Sequence, residues 1–324
     1  MKLVIQIPCL NERATLPGTL AALPTSVDGF DEVEVIVVDD GSTDGTAEVA
    51  RQHGAHVVRL HGHQGLARAF MAGLAIAVER GADVIVNTDA DNQYDAAAIP
   101  ALARPILDDA ADMVIGARPV GTISHFSPTK RLLQRAGSWL VRTVSGAAVA
   151  DAPSGFRAVS RDAALRLNVF GRFTYTLETV IQAGLNDLRV ASIPVRVNPP
   201  TRPSRLFRSN VGYALRGART IAIVFMLYRP AEVFATLAGL ALFPGLALGV
   251  RYLVLMDLGE GRGHTQSLVA CAILCVSGVF FATAAVLAHL LAVNRQLLEE
   301  LRYLVWSARA SRKQHDNPPS TKLV

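Results

Sequence analysis

Val84-Ile-Val-Asn-Thr-Asp-Ala-Asp-Asn-Gln93 is an apolar strand running into two carboxylates one residue apart, Asp89 and Asp91, and then into Gln93. Alternate side chains of an extended segment share a face, so Asp89, Asp91 and Gln93 are expected to offer oxygen ligands on one side of the strand end. Such a set suits a hard divalent cation, Mg2+ or Mn2+. These ions need only one or two carboxylates when water and a substrate's phosphates complete the shell. Asp-Ala-Asp-Asn is also a serviceable polar turn, so the pair alone leaves both readings open.

The neighbouring segments narrow the choice. Leu3-Val-Ile-Gln-Ile7 reads as a buried strand that Pro8 is expected to end, with Asn11 and Glu12 of Pro8-Cys-Leu-Asn-Glu12 in the loop before a helix. Val33 to Val38 is a further apolar strand, running into Asp39-Asp-Gly-Ser-Thr-Asp-Gly-Thr46. Three strands ending in polar loops fit an open α/β sheet, whose ligands bind where the carboxyl ends of parallel strands converge. Asp39 or Asp40 can accept hydrogen bonds from a base or ribose, and Gly41 and Gly45 permit close backbone approach. Ser42 or Thr43 is placed to cap the next helix.

Pro8 to Glu12, Val37 to Thr46, Asp89-Ala-Asp-Asn-Gln93 and Asp151-Ala-Pro-Ser-Gly-Phe-Arg157, in this order, resemble the family 2 glycosyltransferases. Within that family the chain is similar to the dolichol-phosphate mannose synthase and polyprenyl-phosphate glycosyltransferase group, over about residues 1 to 205. The resemblance implies a GT-A nucleotide-sugar-binding (Rossmann-like) α/β domain. It implies inverting transfer from a GDP- or UDP-sugar, with Mg2+ or Mn2+ at Asp89, Asp91 and Gln93. Donor contacts are expected from Pro8, Asn11, Glu12, Asp39, Asp40, Gly65, Arg68, Asp89 and Ala90. Where the family has Asn-x-Gly, this chain has His63-Gln-Gly65, at the expected start of a helix that carries Arg68 towards the phosphates. His63 is read as a polar lining of the pocket or a solvated cap.

The second substrate is read from the other half of the chain. Of the 324 residues 51% are hydrophobic, high for a wholly soluble protein. The excess lies in two uncharged runs, Val233 to Val250 and Ser267 to Ala288, each near the ~20 residues that cross a hydrocarbon core. Six arginines and no acid occupy residues 201–230, and Arg295, Arg302, Arg309, Arg312 and Lys313 follow the second run. The positive-inside rule then leaves both flanks cytosolic and the link between the runs outside. The basic strip, interleaved with Leu206, Phe207, Val211 and Ile221, fits interfacial helices against anionic lipid better than nucleic acid. Expected boundaries are a catalytic domain 1–200, interfacial helices 201–230, transmembrane helix 231–256, external loop 257–266, transmembrane helix 267–293 and basic tail 294–324. No cleavable signal is expected before the first strand, because Leu3 to Ile7 is too short for a signal core, and the three cysteines suggest no disulfide framework. The expected location is therefore the inner (plasma) membrane, multi-pass, with both termini cytosolic.

A polyprenyl phosphate acceptor needs cationic partners near the transferred carbon. Arg118 and Arg131 resemble positions that serve so in the group, and Arg202 and Arg205 resemble its mobile basic segment, which binds the nucleotide sugar by closing over the donor diphosphate and the acceptor phosphate. Asp151 stands where members that attack with a hydroxyl keep a base; a phosphate is largely ionised at neutral pH and needs alignment instead. Asp91, Asp151, Arg118 and Arg131 are the expected catalytic set. Tyr175 and Glu178 open a later helix, where contact with sugar or lipid and simple packing explain them equally. Transfer to a hydroxyl of a glycolipid or lipid-linked glycan, with Asp151 as base, and a non-catalytic scaffold binding nucleotide sugar remain alternatives. No glycine-rich triphosphate loop supports a nucleotidyltransferase. Two spans and the absence of Gln-x-x-Arg-Trp argue against a processive synthase. The expected partners are nucleotide sugar, polyprenyl phosphate and membrane lipid, without nucleic acid, and a homo-oligomer stays open.

Overall fold

The computed structural model describes residues 1–119, 138–139, 141–143, 145–147, 149–169, 175–199, 223, 226, 228–259 and 263–316, with side chains to 308. Among these, β1 (Lys2–Cys9), β2 (Glu32–Asp39), β3 (His56–Arg59), β4 (Val84–Asn87), β5 (Met113–Ala117), β6 (Arg157–Ser160) and β7 (Val190–Pro194) build one sheet, ordered β3-β2-β1-β4-β6-β5-β7. β6 runs antiparallel to β4 and β5, and the remaining pairs are parallel. The helices of this unit are α1 (Leu16–Ala22), α2 (Thr46–Gln52), α3 (Leu66–Glu79), α4 (Ile99–Leu107), α5 (Arg161–Arg166) and α6 (Thr176–Leu185).

The near-continuous apolar runs of β1, β2 and β4 follow from burial on both sheet faces. On one face Leu3, Ile5, Val84, Val86, Val114 and Phe156 pack with Ile99, Leu102 and Ile106 of α4. Each buried Leu or Ile contributes about 1.5–3 kcal/mol, which holds a helix too short to form alone. The pleat turns Val4, Gln6, Ile85 and Asn87 to the opposite face, which α3 covers so closely that a methyl on Gly73 would stand 2.2 Å from Gln6 Oε1.

Pro8 does not end β1, because the strand runs through Cys9 and pairs Pro8 with Val38. The Gln6 carbonyl accepts from Thr88 N–H on the β4 side and the Cys9 carbonyl accepts from Asp40 N–H on the β2 side. Alternation then directs Pro8 to the β4 side, where pairing with β4 stops at Gln6, so its missing N–H costs no ladder bond. The metal segment also differs from expectation. β4 stops at Asn87, and residues 90–92 form a turn with Asn92 at φ 54°, so Asp89, Asp91 and Gln93 are not an alternating extended run.

A second unit spans residues 222–300, while 301–324 group with residues 1–221. α7 (Pro230–Asp257) and α8 (Thr265–Asp316) are both long and apolar enough to cross a membrane. α8 continues well past the expected end at residue 293. Within the second unit the two helices approach closely at glycine. A methyl on Gly278 would stand 3.1 Å from the Leu242 amide nitrogen, and one on Gly245 3.2 Å from that of Cys275. Leu240, Phe243, Val276 and Leu291 turn outward and are exposed. Within the first unit Tyr303 donates to Asp162 Oδ1 at 2.6 Å and Arg302 to the Leu167 carbonyl at 3.1 Å.

Candidate functional site

The carboxyl ends of β1, β2 and β3 carry one half of the site. Asp39 is fully buried; its Oδ1 accepts from Ser42 N–H at 2.8 Å. Its Oδ2 is buried 3.4 Å from Arg59 Nε and has no hydrogen-bond partner. Asp40 is committed to the fold, because Oδ1 accepts from Gln64 N–H at 2.7 Å and Oδ2 meets Gly65 N–H at 2.9 Å and His63 Nδ1 at 2.7 Å. His63 is thus a tethered, outward-facing ring. α3 starts at Leu66 rather than near His63, behind Gly65 at φ 99°, and Arg68 is exposed on its first turn.

Asn11, in the left-handed region at φ 55°, knits this loop to the next: Ser42 Oγ accepts its N–H and its Oδ1 accepts Thr43 N–H, each at 2.9 Å. Ser42 and Thr43 therefore do not cap α2. Asp44 Oδ1 accepts Thr46 N–H instead, at 3.0 Å, and Gly45 occupies the cap position. Gly41, at φ 81°, lies against residues 62–63, where a methyl would come within 2.7 Å of the Gly62 carbonyl carbon. Glu12 accepts from Thr15 Oγ1 at 2.7 Å, and Ala90 is pinned through its carbonyl to Thr19 Oγ1 at 2.9 Å.

The other half follows from the antiparallel β6. Running against its neighbours, β6 begins where β4 and β5 end, with Arg157 opposite both Asn87 and Ile115. The Asp151–Gly155 loop is therefore delivered beside Asp89 and Arg118. Arg118 grips Asp151 bidentately, Nε to Oδ2 at 2.7 Å and Nη2 to Oδ1 at 3.0 Å, and its N–H adds a 3.2 Å bond. Asp151 is buried and Arg118 is 17% exposed at its side chain, enough to meet a ligand. Burial works against the Arg118 charge, but Tyr94, Asp151 and Asp89 outweigh it and hold the guanidinium protonated.

Asp89 is half-buried, and no donor among the described residues hydrogen-bonds its carboxylate. Burial, with repulsion from Asp91, pushes its carboxyl up to about 7 despite the opposing pull of Arg118 and Arg157. Asp91 Oδ1 accepts Gln93 N–H at 3.2 Å, and the Gln93 carbonyl accepts Asn198 N–H at 2.8 Å. Two adjacent carboxylates, one of them half-buried and without a hydrogen-bond donor among the described residues, fit a hard divalent cation. Gln93 lies half-buried beyond the turn. Arg131, Arg202 and Arg205 lie outside the described residues, as does most of the 201–230 segment.

Sequence reasoning missed several residues that shape this half. Asn87 is buried behind Asp89, Tyr94 Oη accepts Gly155 N–H at 3.1 Å, and Arg157 is fully buried. Arg157 holds the loop from within through the Ala152 and Ser154 carbonyls, and Thr176 and Thr179 also accept from it. Tyr175 stacks on Phe70 at 3.8 Å between centroids and donates its hydroxyl inward, so it is packing rather than a ligand contact; Glu178 is buried too. One signal was available: Gln6 and Asn87 are polar residues set in adjacent apolar strands.

The profile described as Glycosyl transferase family 2 matches residues 4–166. An uncharacterized glycosyltransferase of Mycobacterium tuberculosis is 36% identical over 217 residues, 66% of this chain and 91% of its own. The undecaprenyl-phosphate mannosyltransferase of Micrococcus luteus is 35% identical over 169 residues, covering 50% of this chain and 68% of its own. Glucosyl-3-phosphoglycerate synthase of M. tuberculosis, solved with Mn2+, uridine-diphosphate and phosphoglyceric acid, shares the fold with a TM-score of 0.52. It is 21% identical and covers 69% of this chain and 77% of its own.

Proposed function

From the premise that this chain belongs to glycosyltransferase family 2, we propose that it moves a monosaccharide from a GDP- or UDP-sugar to a membrane polyprenyl phosphate, by metal-dependent inverting transfer. The observation that carries the reading is the Asp89–Asp91 pair beside the Arg118–Asp151 clamp, in a chain with two helices able to cross a membrane. The mannosyltransferase relative, named for undecaprenyl phosphate, supports the acceptor, and the fold neighbour that holds Mn2+ with uridine-diphosphate supports the metal.

Asp89 and Asp91 would hold Mg2+ or Mn2+, with Gln93 adjoining, and the cation when bound would neutralise charge on the departing diphosphate. The remaining work belongs to the chain. Asp39 Oδ2, buried without a hydrogen-bond partner, would accept from the nucleotide base, and Asp40 holds the Gly65 turn beside it. Arg118 spends Nε and Nη2 on Asp151, leaving Nη1 to align an acceptor phosphate behind the anomeric carbon. That phosphate arrives ionised and loses no proton. A hydroxyl acceptor would require Asp151 to take one, yet both its oxygens already accept from Arg118, which favours the phosphate. The catalytic domain and both termini belong in the cytosol on this reading, with Arg131, Arg202 and Arg205 as further phosphate contacts.

The test is a panel of nucleotide sugars with polyprenyl phosphate and Mn2+ or Mg2+, resolved by the mass of the lipid product. An acid-labile sugar phosphodiester is expected. An acid-stable glycoside would favour the hydroxyl acceptor, and no transfer to any lipid would favour the scaffold.

A further inference from the structure

The Asp89 carboxylate rests against Gly155, where a methyl would stand 3.1 and 3.3 Å from its two oxygens and 3.0 Å from Tyr175 Oη. Gly155 is held at both ends of its peptide plane system. Its N–H donates to Tyr94 Oη at 3.1 Å, and its carbonyl accepts Asn87 Nδ2 at 2.9 Å. Asn87 is itself fully engaged, since Nδ2 also donates to Tyr175 Oη at 2.8 Å and Oδ1 accepts Gln6 Nε2 at 3.0 Å. Asn87, Tyr94 and Tyr175 are each at most 6% exposed, which removes these bonds from bulk solvent. Tyr94 is braced by Phe156 at 5.0 Å and Tyr175 by Phe70 at 3.8 Å between ring centroids. The wall behind Asp89 is thus a hydrogen-bonded polar brace set in a packed core, with Gln6 Oε1 at its far end buried without a partner.

We infer that Asn87 and Tyr94 are positioning residues for the divalent-cation site, fixing Gly155 against Asp89 and so setting the affinity of the Asp89–Asp91 pair for the metal. The inference rests on the metal reading of that pair. A carboxylate that receives no hydrogen bond of its own is oriented only by what it touches, and here that contact is a backbone whose two hydrogen-bonding groups are both spoken for. Outer partners of this kind change metal affinity by about 10- to 100-fold when lost.

The experiment is direct Mn2+ titration of the full-length, solubilised protein with saturating UDP or GDP, followed by electron paramagnetic resonance of free Mn2+. Asn87→Ala is expected to weaken Mn2+ about 10- to 100-fold, and Tyr94→Phe, which removes only the hydroxyl that accepts Gly155 N–H, about tenfold. In both, the Mn2+ concentration for half-maximal transfer rises in parallel and the maximal rate returns at high Mn2+. A merely structural defect would lower the rate at every Mn2+ concentration. Should Asn87→Ala misfold, Tyr94→Phe carries the test. Mn2+ affinity within twofold of wild type in Tyr94→Phe, or a loss that excess Mn2+ does not recover, overturns the inference. Wild-type protein that binds no Mn2+ with either nucleotide overturns the metal reading beneath it.

Discussion

Asp39-Asp40 and Asp89-Ala-Asp91 both end parallel strands of one sheet, yet they meet opposite environments. Asp40 has both oxygens filled by two backbone N–H groups and an imidazole. Asp89 receives no hydrogen bond among the described residues and is pushed up to about 7 by burial and Asp91. A carboxylate whose acceptors are filled holds a loop in place; one that is half-buried beside a second carboxylate and receives no hydrogen bond is poised for a cation. Asp151 lies between these extremes, fully paired but with a partner that reaches the surface.

The contrast can be broken by substitution. The largest effect is expected at the cation pair. Asp91→Asn should cut transfer at least about 10^3-fold, the rate equivalent of the several kcal/mol a metal contributes, with the melting temperature of the metal-free protein unchanged. Wild-type turnover would return the pair to the status of a turn. Arg118→Met should come next, costing about 3 kcal/mol in unfolding experiments because it strands the buried Asp151; adding Asp151→Asn should restore part of the stability but not the activity.

Asp40→Ala should cost about 2 kcal/mol, freeing the residue 63–65 loop, which can partly resolvate. Its transfer rate at saturating donor should stay within about tenfold of wild type, and a collapse like that of Asp91→Asn would erase the difference between the pairs. The smallest effect is expected far from both. Tyr303→Phe removes one hydrogen bond to the half-exposed Asp162 and should change stability by less than about 1 kcal/mol, read by thermal unfolding.

Much of the sheet is legible as period and punctuation, since Leu3 to Ile7, Val33 to Val38 and Val84 to Asn87 are apolar runs of strand length ending in polar loops. Two apolar helices are equally plain, although the continuation of α8 to Asp316 was hidden because residues 294–316 carry many charges and are not uniformly apolar. Pro8 misled because the cost of proline depends on whether a neighbouring strand is present at that register, which is a property of β4 and not of β1. The alternation argument at Asp89 failed for a related reason, as Asn92 in the left-handed region turns the chain sooner than the residue pattern implies.

By itself the sequence determined the parallel core, the location of the carboxylates at strand ends and the existence of two apolar helices, because these depend on local hydrophobic period and turn chemistry. Only the tertiary structure decided which carboxylate is filled and which is open. The donors that satisfy Asp40 come from 23 to 25 residues away, the brace behind Asp89 joins Gln6, Asn87 and Gly155, and Arg118 reaches Asp151 across 33 residues. Hydrogen-bond satisfaction is a sum over neighbours brought together by folding, and no window of sequence contains that sum.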